Sequence, residues 1–305
     1  MILLFLGRLT EARETIERAL EVFDASEERD KMAARAAGQD AGVAILALMS
    51  WVFWVLGDVD TATARIGGAL DRADTLKHAH TQAYAWYYAS VLHALRGDAE
   101  VGQSYADRCI AISEQHGFRQ WLGLSRAVRD VCKTTLDPAS SHLDEVRGAL
   151  TDYQRAGYQL GITAQFVLLA SALLLRNEPE GALQAIEDGL SIVSHNDERF
   201  LEAELYRLKG WALVARGTSS AEVESVLVRA LQMARTQQAG SLELRIALDL
   251  ARLWMNERRS TEAFNLLDDT CGRVPGGIDT RDLQNAKILL ADLAAIGGRR
   301  AIPSE

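Results

Sequence analysis

The chain has 305 residues, 48% of them hydrophobic, with only 4 prolines, a net charge of −9 and a pI near 5.3. The acidic balance, with Arg interleaved among Glu and Asp, excludes the basic footprint of a nucleic-acid binder, and three widely spaced cysteines (Cys109, Cys132, Cys271) exclude a disulfide framework. The apolar run from Gly42 to Gly57 is too short to span a bilayer, and the Ala-, Leu-, Arg- and Glu-rich composition favours helix in a soluble, cytoplasmic chain.

The opening, MILLFLGRLTEARETIERALEVF, is not a secretory signal: no basic region precedes the apolar run and no cleavage site follows it. Ala12, Ile16, Ala19 and Leu20 instead have helical spacing. Residues 1–23 are expected to be a half repeat, a second helix whose partner is missing, as though the chain began inside a longer protein. A charged linker is expected over 24–40.

From 41 to 278 the sequence repeats itself. Stretches like GRLTEARETIERAL, which begins at Gly7, recur from Gly57, Gly97, Asp137, Asn177, Gly217 and Arg258, at steps of 50, 40, 40, 40, 40 and 41 residues. One column is always small: Ala19, Ala69, Cys109, Ala149, Gly189, Ala230 and Thr270. Three residues earlier stand Ile16, Ile66, Ala106, Val146, Ile186, Leu227 and Leu267. Small residues let a neighbouring helix approach, and the apolar residue one turn away fills the seam. A second helical stretch lies between copies, as in TQAYAWYYASVLHALR, with its own column of Ser50, Ser90, Asp130, Ala170, Gly210 and Ala251.

Turns are predicted at Gly57-Asp58, Gly97-Asp98, Asp137-Pro138 and Asn177 to Pro179, with Pro138 and Pro179 in first helical turns. Ser219 and Glu222 have capping-box spacing. A closing helix is predicted over 279–297 and a frayed tail over 298–305. The pattern predicts an all-α fold, an α-solenoid of about six stacked hairpins of about 40 residues each.

The columns resemble tetratricopeptide repeats: an aromatic followed four residues later by a small residue in the first helix (Tyr206 and Gly210, Trp86 and Ser90), then Gly, Ala and Ala-Leu in the second. Three stretches, ERFLEAELYRLKGWAL, QQAGSLELRIALDLARLW and DTRDLQNAKILLADL, are similar to the C-terminal repeat region of bacterial class III adenylate/guanylate cyclases that carry a STAND-type ATPase. GQDAGVAILALMSWVFWVLG is also similar, with Ala41 where that region would have Pro. The resemblance covers most of the chain from Gly38 and implies a right-handed superhelix whose first helices line a concave groove. Any cyclase or ATPase chemistry would reside upstream, because no GxxxxGK[ST] phosphate loop occurs here.

On that reading the groove presents Trp51, Trp54, Tyr84, Tyr87, Glu204, Arg207, Trp211, Arg245 and Arg252. Aromatic and Arg side chains dominate binding hot spots, although aromatics at helical spacing also serve as core. Register places Glu204 beside Arg245 and Trp211 beside Arg252, an ion pair and a cation–π contact. Asp130 and His142 occupy small-residue columns of one repeat and are expected to form a structural polar pair. His78, His80 and His93 lack the Cys or carboxylate partners of a metal site, so no metal or cofactor is expected. The expected function is non-catalytic: a module that binds a protein or peptide segment in its groove, or contacts upstream cyclase or ATPase domains. A small-molecule sensor and a self-associating scaffold are the alternatives.

Overall fold

A computed structural model describes residues 1–26, 38–139, 143–155, 160–274 and 280–300. Among these residues there are fifteen helices and no strand. A single turn, α1 (Ile2–Phe5), precedes α2 (Leu9–Ala25). Six hairpins follow: α3 (Ala41–Leu56) with α4 (Val59–Leu76), α5 (Ala79–Arg96) with α6 (Ala99–His116), α7 (Arg119–Leu136) with α8 (Leu143–Arg155), α9 (Ile162–Leu175) with α10 (Pro179–Asn196), α11 (Glu202–Ala215) with α12 (Ser220–Thr236), and α13 (Gly240–Asn256) with α14 (Ser260–Arg273). The last helix, α15 (Arg281–Arg300), packs on α13 and α14.

One backbone device sets the repeat. In the turn after α3, the Gly57 N–H donates to Trp54 O at 3.0 Å and the Asp58 N–H to Phe53 O at 2.9 Å. This pair of bonds needs a left-handed residue, and Gly57 supplies it at φ +96°. The same pair recurs at Gly7-Arg8, Gly97-Asp98, Asn177-Glu178, Gly217-Thr218 and Arg258-Arg259. Asp137-Pro138 breaks the pattern, because Pro138 has no N–H to donate and holds Asp137 extended. Pro179 does begin a helix, whereas Pro138 lies in the turn ahead of α8, contrary to its predicted place in a first helical turn. Ser219 is an N-cap, but its side chain makes no capping bond, so the predicted capping box is not formed.

The small columns lie where helices cross. Ser50, Ser90, Asp130, Ala170, Gly210 and Ala251 are all buried, as are Ile16, Ile66, Ala106, Val146, Ile186, Leu227 and Leu267. Ala19 and Ala149 are half-buried, while the other members of their column are buried. A Cβ added to Gly210 would stand 2.7 Å from Leu227 Cδ2, which explains its small residue. First helices pack on the first helices of the next unit, forming an inner layer with the second helices outside, consistent with an α-solenoid.

The inner layer also closes on itself. The start of α13 meets the end of α3, and α9 meets α5. Phe5 packs edge-on against Phe200, with ring centres 5.4 Å apart, and its carbonyl accepts from the Arg199 N–H. Thr10 Oγ1 donates to Gln238 Oε1 at 2.9 Å. Two ends of the array, far apart in sequence, therefore share one interior.

Candidate binding surface

Closure changes the role of the expected groove. Trp51, Trp54, Tyr84 and Tyr87 are buried. The Trp51 ring lies 4.8 Å from that of Tyr88 and 5.9 Å from that of Phe200, and its Nε1 donates to Tyr88 O. Tyr84 stacks on Tyr88 with centres 4.4 Å apart, and the Tyr87 hydroxyl accepts from Gln165 Nε2 at 2.9 Å. Burial pushes the Tyr84 and Tyr87 phenols well above their usual range. These four side chains fill the interior: Tyr84 packs on the neighbouring Trp121, whereas Trp51, Trp54 and Tyr87 meet Phe200, Arg245 and Gln165 of distant units.

Two more of the expected residues form the centre of a buried ion ladder. Arg207 donates to both Glu204 oxygens at 2.8 Å and to Asp249 Oδ2 at 2.9 Å. Arg245 lies 3.4 Å from Glu204, as the register predicts, and reaches Asp282 at 2.7 Å. Its third nitrogen donates to the Leu95 carbonyl at 2.8 Å, and its guanidinium sits 5.4 Å from the Trp54 ring centre. Arg252 completes the ladder, 3.6 Å from Asp249. Burial opposes the charge on Glu204, but Arg207 and Arg245 outweigh it and hold the carboxyl below its ordinary range. For Asp249 burial dominates and raises the carboxyl despite Arg207. Three helices are thereby cross-linked: α11, α13 and α15. Asp249 and Asp282 were missed by groove counting, although Arg245, Asp249 and Arg252 alternate in sign along one face of α13.

The open surface lies at the other end of the ladder. Trp211 is 40% exposed, Val214 56% and Leu175 48%. Trp211 and Val214 border a recess of about 350 Å³ with Leu174, Val223, Leu227 and Leu253, and Asp249, Arg252 and Asn256 at its edge. Trp211 and Arg252 thus line the same recess. The guanidinium over the indole, however, belongs to Arg207, 4.9 Å from the ring centre, because the ladder draws Arg207 inward beneath it. The recess is mainly apolar, with the half-exposed Arg252 and the Asp249 carboxylate at its rim.

The remaining expectations sit elsewhere. Asp130 is buried and accepts from Arg129 Nε at 3.0 Å, whereas His142 lies outside the described residues. His78 caps α5 through Thr81, His80 accepts from Trp121 Nε1 at 3.0 Å, and His93 pairs with Asp98. Among the described residues no three His, Cys, Asp or Glu side chains form a metal-ligand group, and no helix is long and apolar enough to cross a membrane. No protein-family model matches this sequence, and no curated protein matches it significantly.

Proposed function

We propose that the chain is a non-catalytic, cytoplasmic binding module of the tetratricopeptide type, a right-handed superhelix that takes an apolar-anchored peptide segment of a partner protein at the Trp211 recess. One observation carries the reading: a large indole stands half in solvent beside Val214 and above an apolar recess, with Arg252 at the rim. Exposed contiguous apolar surface of this kind marks interaction sites, and Trp and Arg are the residues that supply most binding energy there. The resemblance to cyclase-linked repeat regions extends the proposal: the module regulates an attached or associated signalling enzyme, while the chemistry belongs to that enzyme.

A second reading has its own support. A recess of about 350 Å³ falls in the size range of small-ligand pockets, so a metabolite sensor would use the same residues.

Selection of a random displayed-peptide library on the folded chain tests both readings. Peptides with a large apolar side chain should enrich, and their binding should fall at least tenfold in Trp211→Ala. Enrichment indifferent to Trp211→Ala, or none at all, refutes the peptide site. A small molecule co-purifying with the native chain and lost in Trp211→Ala would favour the sensor.

A further inference from the structure

The structure assigns a second feature, independent of the recess: we propose that the junction between the start of α13 and the ends of α3 and α5 is a latch, a discrete joint that opens and closes while the hairpins on either side stay folded. When it opens, Trp54 and the interior aromatics behind it become accessible.

The joint is made by a few residues of one helical turn. Ser241 Oγ donates to the Trp54 carbonyl at 2.6 Å, and Arg245 Nη2 donates to the Leu95 carbonyl at 2.8 Å. Both acceptors lie in the last turns of inner helices, and the Trp54 carbonyl takes the Ser241 bond in addition to that from the Gly57 N–H. The N-terminus of α13 therefore meets the C-terminus of α3, an arrangement that the two helix dipoles favour. Gly240 permits the approach: a Cβ there would lie 2.6 Å from the Leu56 carbonyl oxygen.

Open space flanks this turn. Gly240 borders two hollows, one of about 50 Å³ that also touches Trp54, Arg96 and Asp282, and one of about 690 Å³ that reaches Arg13, Phe53 and Arg273. Leu244, Leu248 and Ala251 belong to a separate small core with Leu267, Leu289 and Leu293, while Leu242, Ile246 and Leu250 join the main one. Helix α13 is thus held by apolar packing to both cores, Leu242 and Leu244 of its first turn included, while its bonds to α3 and α5 come from Ser241 and Arg245. Directional bonds beside open space can be lost together without dismantling a core, which is the property of a two-state joint.

Gly240→Ala tests the latch cleanly. Gly240 does not use a left-handed conformation, and Ala ordinarily improves a helix over Gly, so without the junction the substitution would be benign. The chain is labelled with 5-fluorotryptophan and observed by fluorine NMR, which gives one signal for each of its six Trp residues. The Trp54 signal is assigned by its loss in Trp54→Phe. In Gly240→Ala the Trp54 signal should shift or split and acquire a water/heavy-water isotope shift, with Trp86 unchanged. Ser241→Ala, which removes a bond and adds no atom, should give the same second signal at lower population. A Trp54 signal that stays dry in both variants overturns the proposal. So does a common shift of all six signals, because it would report loosening of the whole array. If Gly240→Ala does not fold, Ser241→Ala decides by the same two criteria.

Discussion

Replacing Arg207 with Met tests what the ion ladder contributes. The guanidinium makes three hydrogen bonds, to Glu204 (2% exposed) and Asp249 (7% exposed). Met keeps much of the apolar stem but leaves both carboxylates short of their main partner. Breaking a buried ion pair from one side costs about 3–5 kcal/mol. Arg245 and Arg252, at 3.4 and 3.6 Å from the two carboxylates, retain part of the compensation, which places the expected loss at the lower end. A loss of about 3 kcal/mol, with a urea slope of about 3 kcal/mol/M, moves the unfolding midpoint by about 1 M. Circular dichroism during urea titration reads the shift, and an unchanged slope shows that the same folded state is being compared. The triple variant Glu204→Gln, Arg207→Met, Asp249→Asn, which leaves no orphaned charge in the centre of the ladder, should lose less than Arg207→Met alone. A midpoint shift under about 0.3 M for Arg207→Met, or a triple variant less stable than the single one, would refute the reasoning.

Two further outcomes follow from how the fold shifts protonation. Because Glu204 is held below its ordinary value of 4.5, the folded chain binds its proton less readily than the unfolded chain. The stability it contributes is complete above that value and is lost as the pH falls through the lower folded value; Glu204→Gln should flatten this acid limb relative to the parent in midpoint measurements across the window. The thiols should also separate by reactivity: Cys109 and Cys132 are buried and pushed up to about 11 and about 12, while Cys271 is half-buried. Titration of the native chain with Ellman's reagent should report one thiol, and the denatured chain three; a second thiol reacting in the native chain at the rate of the first would contradict the packing around Cys109 and Cys132.

The hairpins were legible because their determinants are local. Gly57, Gly97 and Gly217 close each turn with bonds to the helix they end, and Ser90, Ala170 and Gly210 meet a neighbour at a fixed offset. Spacing also placed Glu204 beside Arg245, since both lie at matching positions of adjacent units. Closure was not legible. Ser241 and Trp54 are 187 residues apart, and Gly240 reads locally as one more turn glycine. For the same reason Trp51 and Tyr87 were expected to line a groove: helical spacing assigns them to the inner face, but only the meeting of the ends decides whether that face is wet or dry. Ser219 failed differently, because a capping sequence states which bond is available and not whether the side chain turns toward it.

The turn that follows every first helix but α7 has a consequence for how such a protein can change over generations. Its two bonds are satisfied within the hairpin that it closes, so a whole unit can be duplicated or deleted between turns without disturbing the others' local folding. The meeting of α13 with α3 has no such freedom, because it depends on the circumference, and hence on the tally of hairpins between them. A lineage that gained one unit between them would keep its hairpins and lose that contact, uncovering buried aromatic side chains such as Trp54 in a single genetic step.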